Sequence, residues 1–190
     1  MTRILFVCTG NVHRSVLAER LLAARLPPGS ALRPESAGTE AWHRSPMEDT
    51  TRAILEELGG DGAGFVSRPL TAQLMAGAAL VLGLAREHRE AAVRLVPAAM
   101  RRCFTLKEFV RLAEGGGAGG GGGDAGGAGG RGRFEAVVAA AATRRGAMAP
   151  VPSAQDDIPD PWDRPREELY ECALEIDRAV SGLVRLCGTH

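Results

Sequence analysis

Cys8 and Arg14 are separated by five residues, and a serine follows the arginine. The stretch that we call the cysteine loop consists of Cys8, Thr9, Gly10, Asn11, Val12, His13, Arg14 and Ser15. A strand-like run at 3–7 precedes it, and an amphipathic helix is predicted over 16–26. Loop N–H groups and the helix dipole would converge on one anion site and stabilise a thiolate. Because a guanidinium can bind two phosphate oxygens, the loop predicts phosphoryl transfer to the sulfur of Cys8.

Each part of the cysteine loop also has an ordinary structural interpretation. A cysteine that ends a strand is usually a small core residue, and a serine at a helix start is usually a capping residue. A Gly-Asn pair usually marks a turn. These interpretations lose weight because all of the residues occur together, at this spacing, between a strand and a helix. The combination favours a nucleophile and an anion-binding arginine in one loop.

The length and composition of the chain predict one domain that spans 1–190. Basic and acidic residues number 23 each, so no net charge recruits nucleic acid or an acidic membrane. No apolar run in the sequence approaches the roughly 18 residues that a membrane helix needs. The first strand begins near Met1 without a signal peptide, so we expect a cytoplasmic protein.

The cysteine and glycine patterns add two further expectations. The four cysteines are scattered without a Cys-x2-Cys spacing, so neither a disulfide framework nor a metal site is indicated. Between Gly115 and Gly132, 13 of 18 positions are glycine. Such a stretch buries too little surface to offset its ordering entropy. It predicts a flexible insertion at about 114–132.

Strand and helix patterns alternate along the chain, which predicts a parallel sheet with right-handed crossovers. Strands are predicted at 3–7, 31–36, 79–84 and 102–105, and the main helices at 16–26, 86–96 and from about 165 onward. Ser45 begins a capping-box pattern for a helix that ends at Leu58, and Thr71 can cap a short helix. Ligands of parallel sheets bind at the carboxyl ends of the strands, where Cys8 lies.

Four sequence blocks make the chain resemble a known family. The cysteine loop is similar to the signature Cys-x5-Arg-Ser/Thr with an asparagine inside the loop. The other similar blocks are Ser36-Ala37-Gly38-Thr39 with Trp42-His43, then Ser67-Arg68-Pro69-Leu70-Thr71 with Leu80-Val81-Leu82, and finally Asp160-Pro161-Trp162. Together they resemble the low-molecular-weight protein tyrosine phosphatases of bacterial type, outside 113 to about 150. The resemblance implies an α/β fold of three layers, with a four-stranded parallel sheet flanked by helices.

The resemblance implies catalysis through a phosphocysteine, without metal or cofactor. Cys8 would be the nucleophile that attacks phosphorus. Arg14 and the N–H groups of residues 9–14 would hold the phosphate oxygens in the transition state. Ser15 would hydrogen-bond the thiolate, a role that is compatible with a plain helix cap. The substrate would be a phosphotyrosine protein or another aryl phosphate, and a partner tyrosine kinase is left open.

The resemblance also assigns residues around the cysteine loop. Asn11 would brace the loop in a left-handed conformation, with Ser36 as its support. Asp160 would protonate the departing phenolate and then activate water. Trp42 and Trp162 would form the cleft walls against which an aryl ring stacks. Only the resemblance distinguishes Asp160 from three aspartates nearby, which are Asp156, Asp157 and Asp163.

Three residues depart from the family pattern. His13 stands where many members carry a second cysteine that forms a reversible disulfide with the nucleophile, so this redox protection is in doubt. Ala85 stands where many members have an aspartate, so a supporting hydrogen bond would be lost. Trp162 replaces a common tyrosine, which removes a target for phosphorylation from the cleft rim.

Three other functions remain open at this stage. A phosphatase of a small phosphorylated metabolite would use the same loop. A phosphate-binding module without turnover would retain the anion site of the cysteine loop. The presence of Cys8, Arg14 and Asp160 counts against such a loss of turnover. A thioredoxin-coupled arsenate reductase would need two further cysteines close together. Cys172 and Cys187 lie about 22 Å apart along one predicted helix and cannot pair there.

Overall fold

A four-stranded parallel sheet lies at the centre of the protein. The computed structural model describes residues 1–41, 44–115 and 130–187. The strands are Thr2–Cys8 (β1), Leu32–Gly38 (β2), Leu80–Gly83 (β3) and Cys103–Thr105 (β4). Their order is β2-β1-β3-β4, so the direction of strand progression switches beside β1. The cysteine loop therefore leaves the sheet at the switch point, where open parallel sheets bind ligands.

Helices cover both faces of this sheet. They are α1 (Arg14–Arg25), α2 (Asp49–Glu57), α3 (Ala72–Gly77), α4 (Arg86–Leu95), α5 (Leu106–Glu114), α6 (Gly130–Ala147), α7 (Ser153–Asp156) and α8 (Arg166–Cys187), with a 3-10 turn at Pro97–Arg102. In the part of the chain that the structure describes, no helix combines the length and apolar character needed to cross a membrane.

Alternation along β1 separates two apolar cores. Ile4, Phe6 and Cys8 face the larger core, which also contains buried side chains of α1, α5, α6 and α8. Leu5 and Val7 face a smaller core beneath α3 and α4. Successive side chains of a strand point to opposite faces, so one hydrophobic strand serves both cores. The predicted three-layer α/β fold with a four-stranded parallel sheet is confirmed.

The predicted start of α2 at a Ser45 capping box is wrong. The N-cap is Glu48, three residues later, and it accepts hydrogen bonds from the N–H groups of Thr50 and Thr51. Ser45 instead joins a neighbouring segment, because its N–H donates to Ser67 Oγ and its carbonyl accepts from the Ser67 N–H. This long-range pairing competes with the local capping pattern and outweighs it.

Most of the predicted glycine-rich insertion, residues 116–129, lies outside the described residues. Its flexibility therefore stays a prediction. At its edges, α5 ends at Glu114 and α6 begins at Gly130, so 130–132 belong to a helix. The helix predicted over about 133–145 thus starts one turn earlier than its sequence pattern indicates.

Candidate active site

The cysteine loop is braced from within by Asn11. This residue is buried and has a φ of 53°, a left-handed conformation that asparagine tolerates better than most residues. Its Nδ2 donates to Ser15 Oγ at 2.9 Å and to Ser36 Oγ at 2.8 Å. Its Oδ1 accepts from the Arg68 N–H at 2.9 Å. One side chain therefore ties the loop to α1, to β2 and to the segment after α2.

The end of β2 and the residues after it lie against the cysteine loop and donate hydrogen bonds to its carbonyl groups. The Thr39 and Glu40 N–H groups donate to the carbonyls of Cys8 and Thr9, both at 2.9 Å. A Cβ on Gly38 would lie only 2.5 Å from the Thr9 carbonyl oxygen, so this approach requires glycine. Within the described parts of the chain, the N–H groups of residues 9–13 have no acceptor. They remain available to bind an anion.

Ser15 lies within hydrogen-bond distance of the candidate nucleophile. Cys8 Sγ and Ser15 Oγ are 3.0 Å apart, and both residues are buried. Because Asn11 Nδ2 can only donate, Ser15 Oγ accepts from it and keeps its own proton for another acceptor. The hydroxyl proton can therefore point at the sulfur, where it would stabilise a thiolate.

Arg14 connects the cysteine loop to the segment that carries Asp160. Its guanidinium is 4 % exposed and donates to the Ile158 carbonyl at 3.2 Å and to Asp160 Oδ2 at 2.7 Å. The other carboxylate oxygen of Asp160 accepts from the Trp162 N–H at 3.1 Å. About half of the Asp160 side chain is exposed to solvent. The structure thus brings Cys8, Arg14 and Asp160 to one cleft.

The neighbouring aspartates hold this segment in place. Asp156 is buried and accepts from Arg86 and Arg111, each at 3.0 Å. Asp157 Oδ1 accepts from the Arg86 N–H at 2.8 Å and so caps α4. This cap acts one residue after Ala85, whose side chain cannot supply one. Asp156 and Asp157, two of the four candidates for the general acid, therefore anchor this segment and are not cleft residues.

A cavity of about 440 Å³ opens above the cysteine loop. Among the residues that line it are Cys8, Thr9, Gly10, Val12, His13, Arg14, Asp160 and Trp162. The Trp162 side chain is 65 % exposed at the rim, so it can contact a ligand that enters. Sequence reasoning missed four other lining residues, Glu40, Ala41, Ser45 and Ser67. Trp42, the second predicted wall, lies outside the described residues, and its role stays a prediction.

His13 is fixed by a hydrogen-bond chain that the sequence did not reveal. Its Nδ1 lies 2.6 Å from Thr51 Oγ1, whose hydroxyl donates to Glu48 Oε2 at 3.0 Å. Although burial opposes the shift, hydrogen bonds from Thr50 and Thr51 lower the pKa of Glu48 to about 2. The carboxylate can therefore only accept, so Thr51 donates to it and accepts from His13 Nδ1–H.

The directions of these hydrogen bonds leave His13 Nε2 as the ring nitrogen that can gain or lose a proton. Burial lowers the pKa of His13, although the carboxylates of Glu48 and Asp160 oppose the effect. The ring lies 5.8 Å from the ring of Trp162, centroid to centroid, with a tilt of 50°. A neutral imidazole and an indole thus stand together at one side of the cleft.

A second histidine supports the cysteine loop from α4. His88 Nε2 lies 3.0 Å from Thr9 Oγ1, and the residue is buried. Burial, with a contribution from Arg14, lowers the pKa of His88 to about 4. The ring is therefore neutral near pH 7. Among the described residues, no group of three or more His, Cys, Asp or Glu side chains could hold a metal ion.

The other cysteines are buried, free thiols. Burial raises the pKa of Cys103 to about 11 and those of Cys172 and Cys187 to about 12. Thiols with such pKa values are poor nucleophiles near neutral pH. Cys172 and Cys187 both lie on α8, as predicted.

Comparisons with known proteins agree with this geometry. The sequence model of the low molecular weight phosphotyrosine protein phosphatases matches residues 3–119. A protein-arginine-phosphatase of Geobacillus stearothermophilus is 36% identical over 113 residues, which cover 60% of this chain and 74% of the relative. A low molecular weight protein-tyrosine-phosphatase of Streptomyces coelicolor is 27% identical over 96% of this chain and 91% of its own length. The crystal structure of such a tyrosine phosphatase from T. tengcongensis has a TM-score of 0.70 and 26% identity, covering 97% of this chain and 99% of that one.

Proposed function

Because this chain belongs to the low molecular weight phosphotyrosine protein phosphatase family, and is thus a phosphatase, we propose that it hydrolyses aryl phosphate monoesters, phosphotyrosine among them. The observation that carries the proposal is the meeting of three groups in one cleft. These are the sulfur of Cys8 beside the Ser15 hydroxyl, the loop N–H groups that have no acceptor among the described residues, and the Arg14 guanidinium in contact with Asp160.

In the first step, the Cys8 thiolate attacks phosphorus, and the bond to the phenolate oxygen breaks. The N–H groups of residues 9–13 and the guanidinium of Arg14 bind the three equatorial oxygens, on which negative charge accumulates. Asp160, in its protonated form, gives its proton to the leaving oxygen. The products of this step are a phenol and a phosphocysteine on Cys8.

In the second step, water displaces the sulfur from phosphorus. Asp160, now ionised, takes a proton from the attacking water, and inorganic phosphate forms. The thiolate of Cys8 is the leaving group, and the Ser15 hydroxyl at 3.0 Å stabilises it by donating a hydrogen bond. The role of Asn11 is to hold that hydroxyl and the loop in this orientation.

The Arg14–Asp160 contact has a consequence for substrate binding. Arg14 Nη2 is bound to the carboxylate at 2.7 Å, so an incoming phosphate must compete with Asp160 for this donor. A dianionic phosphate that accepts two guanidinium hydrogen bonds is a stronger partner than one carboxylate oxygen. Binding would therefore release Asp160 toward the ester oxygen, the position that a general acid needs.

The cleft walls favour an aryl group next to the phosphate. Val12, Ala41 and Trp162 present apolar surface beside the cysteine loop, and an aromatic ring gains contact area against such walls. A phosphoserine side chain is shorter and carries no ring, so it would leave this surface uncovered. We therefore expect phosphotyrosine to be preferred over phosphoserine.

Phosphoarginine is a second candidate substrate, and one observation favours it. Glu40 and Asp160 both line the cleft, so two carboxylates could bind the N–H groups of a guanidinium next to the phosphate. The protein-arginine-phosphatase relative acts on that group according to its name. A small phosphorylated metabolite remains a further alternative, since the loop itself recognises only phosphate. Arsenate reduction has less support, because the other thiols of the described residues have raised pKa values.

A substrate panel tests these assignments. Initial rates would be measured on phenyl phosphate, a phosphotyrosine peptide, the matching phosphoarginine and phosphoserine peptides, and arsenate with thioredoxin as reductant. We expect kcat/KM to be highest for the phosphotyrosine peptide. A higher value for phosphoarginine would reassign the substrate, and Glu40→Gln should then lower that value while leaving phenyl phosphate hydrolysis unchanged. Absence of turnover on every ester, with phosphate binding retained, would mean a binding module.

A further inference from the structure

A second cavity, of about 670 Å³, lies away from the cleft between α4, the Pro97–Arg102 turn and α6. Its floor includes Cys103, the first residue of β4. Cys103 pairs with Val81, and Val81 pairs with Leu5, three residues before Cys8. The floor is therefore about 10 Å below the cysteine loop along the strands and about 10 Å across the sheet. This cavity, which we call the arginine cavity, is separate from the candidate active site.

The lining of the arginine cavity is strongly basic. Four arginines line it, Arg89, Arg94, Arg101 and Arg145, together with one carboxylate, Glu90. The chain as a whole has 23 basic and 23 acidic residues, so this imbalance is local. Guanidinium groups that crowd together repel one another unless anions lie between them. The cavity thus presents a concentrated positive field to solvent.

Arg145 is held in place by partners that do not neutralise it. It donates to the carbonyls of Cys103 at 2.6 Å and Met100 at 2.9 Å, and its guanidinium lies 4.3 Å from the centroid of the Phe104 ring. Carbonyl oxygens fix the orientation of a guanidinium but carry no net charge. Burial lowers the pKa of Arg145, and Arg89 and Arg101 add to that effect while Glu108 opposes it. A fixed, partly buried cation results.

The remaining arginines differ in their partners. Arg89 lies 3.5 Å from Glu108, so its charge is largely matched. Arg94 and Arg101 are exposed and form no ion pair or hydrogen bond within the described part of the chain. They can therefore turn toward a ligand without breaking an existing contact. Together with Arg145 they could surround an anion from three sides.

Apolar side chains complete the cavity. Val93, Met100 and Ala142 line it beside the arginines, and the Met100 side chain is 56 % exposed. A purely inorganic anion would leave this surface uncovered, whereas a planar organic group would bury it. A volume of about 670 Å³ lies within the range of pockets that accept small organic ligands. We propose that the arginine cavity binds a small organic anion of the nucleoside diphosphate type, with its phosphates on Arg94, Arg101 and Arg145.

Calorimetric titration tests this proposal. The probes are ADP, inorganic pyrophosphate and adenosine, added to the full chain in 0.15 M salt with orthovanadate present to occupy the active-site cleft, because this small oxyanion binds at the Cys8 thiolate and has no planar ring for the arginine cavity. We expect one ADP per chain, with tighter binding than pyrophosphate or adenosine because only ADP supplies both the charge and the planar body. The affinity should fall with added salt, since exposed guanidinium groups contribute to it.

Matched variants decide whether the arginines are responsible. The double substitution Arg94→Ala and Arg101→Ala should weaken ADP binding by roughly tenfold or more, the expected loss of charge-assisted contacts. It should leave the melting temperature unchanged, because neither side chain has a hydrogen-bond or ion-pair partner among the described residues. Arg33→Ala, which removes an exposed arginine from β2 at the opposite edge of the sheet, should not alter binding. Failure of ADP to saturate a site at millimolar concentration, equal binding by the double variant, or equal binding of pyrophosphate and ADP would overturn the proposal.

Discussion

Replacing Asn11 should reveal how much of the active-site geometry depends on one side chain. Asn11→Ala removes three hydrogen bonds, of which those to Ser15 and Ser36 are buried and that from the Arg68 N–H is partly buried. Each contributes about 1 kcal/mol to stability, and more when a buried partner is left unsatisfied. Alanine at a φ of 53° adds about 1 kcal/mol of backbone strain. We therefore expect the free energy of unfolding to fall by about 3–5 kcal/mol.

A second variant separates the two contributions. Asn11→Gly also loses the hydrogen bonds, but glycine adopts a positive φ without strain, so its loss should be smaller by about 1 kcal/mol. Both variants should lower kcat/KM on phenyl phosphate by at least about tenfold, because an unbraced loop no longer holds its N–H groups on the phosphate. Thr143→Ala, which removes a single exposed hydrogen bond on α6, is the control and should change neither quantity.

Urea unfolding and steady-state kinetics on the same preparations provide the measurement. If Asn11→Ala unfolds within 1 kcal/mol of the wild type, its three hydrogen bonds do not brace the loop. If stability falls as expected but kcat/KM does not, the loop keeps its catalytic form without Asn11.

Three further results follow from the structure. Asp160→Ala should slow phenyl phosphate hydrolysis by about 10²–10⁴-fold and should slow the hydrolysis of esters with good leaving groups far less. Asp163→Ala should show no such dependence on the leaving group. The reverse pattern would assign the general acid to Asp163. The pKa of His88 is lowered from 6.5 to about 4, so the unfolded chain binds a proton more readily between these values. The contribution of His88 to the free energy of unfolding should therefore be complete above about pH 6.5 and fall by about 3 kcal/mol toward pH 4. His88→Gln should flatten the dependence of that free energy on pH in this window, as measured by urea unfolding at each pH. Peroxide should convert Cys8 to its sulfinic acid without recovery by thiols, whereas His13→Cys should restore recovery; mass spectrometry that finds Cys8 in a disulfide in the wild type would contradict this.

The sequence predicted the positions of residues that lie close to one another in the chain. Cys8, Asn11 and Arg14 lie within seven positions between a strand and a helix, so the spacing alone places them in one loop. The strands were predicted for a similar reason, since buried apolar runs such as 79–84 carry their own signal. Helix α2 was misplaced because Ser45 pairs with Ser67, a contact between residues far apart in the chain.

The supporting contacts of the site could not be derived in this way. Arg86 and Arg111 meet Asp156 from α4 and α5, and nothing in the local sequence connects the three residues. The chain from His13 through Thr51 to Glu48 likewise joins two helices whose approach depends on the packed core. Asp160 was selected from four aspartates only through the family resemblance, because all four lie in one predicted loop and a loop aspartate is usually just solvated. The structure separates them by their partners.

The identity of the phosphorylated atom tests the central claim most directly. In Asp160→Ala the second step should be slowed along with the first, so a substrate with a good leaving group should load the enzyme faster than water unloads it. Rapid acid quenching, proteolysis and mass spectrometry would then locate the phosphoryl group. We expect it on the sulfur of Cys8, and we expect no turnover by Cys8→Ser. A phosphoryl group on His13, or substantial turnover by Cys8→Ser, would contradict this claim.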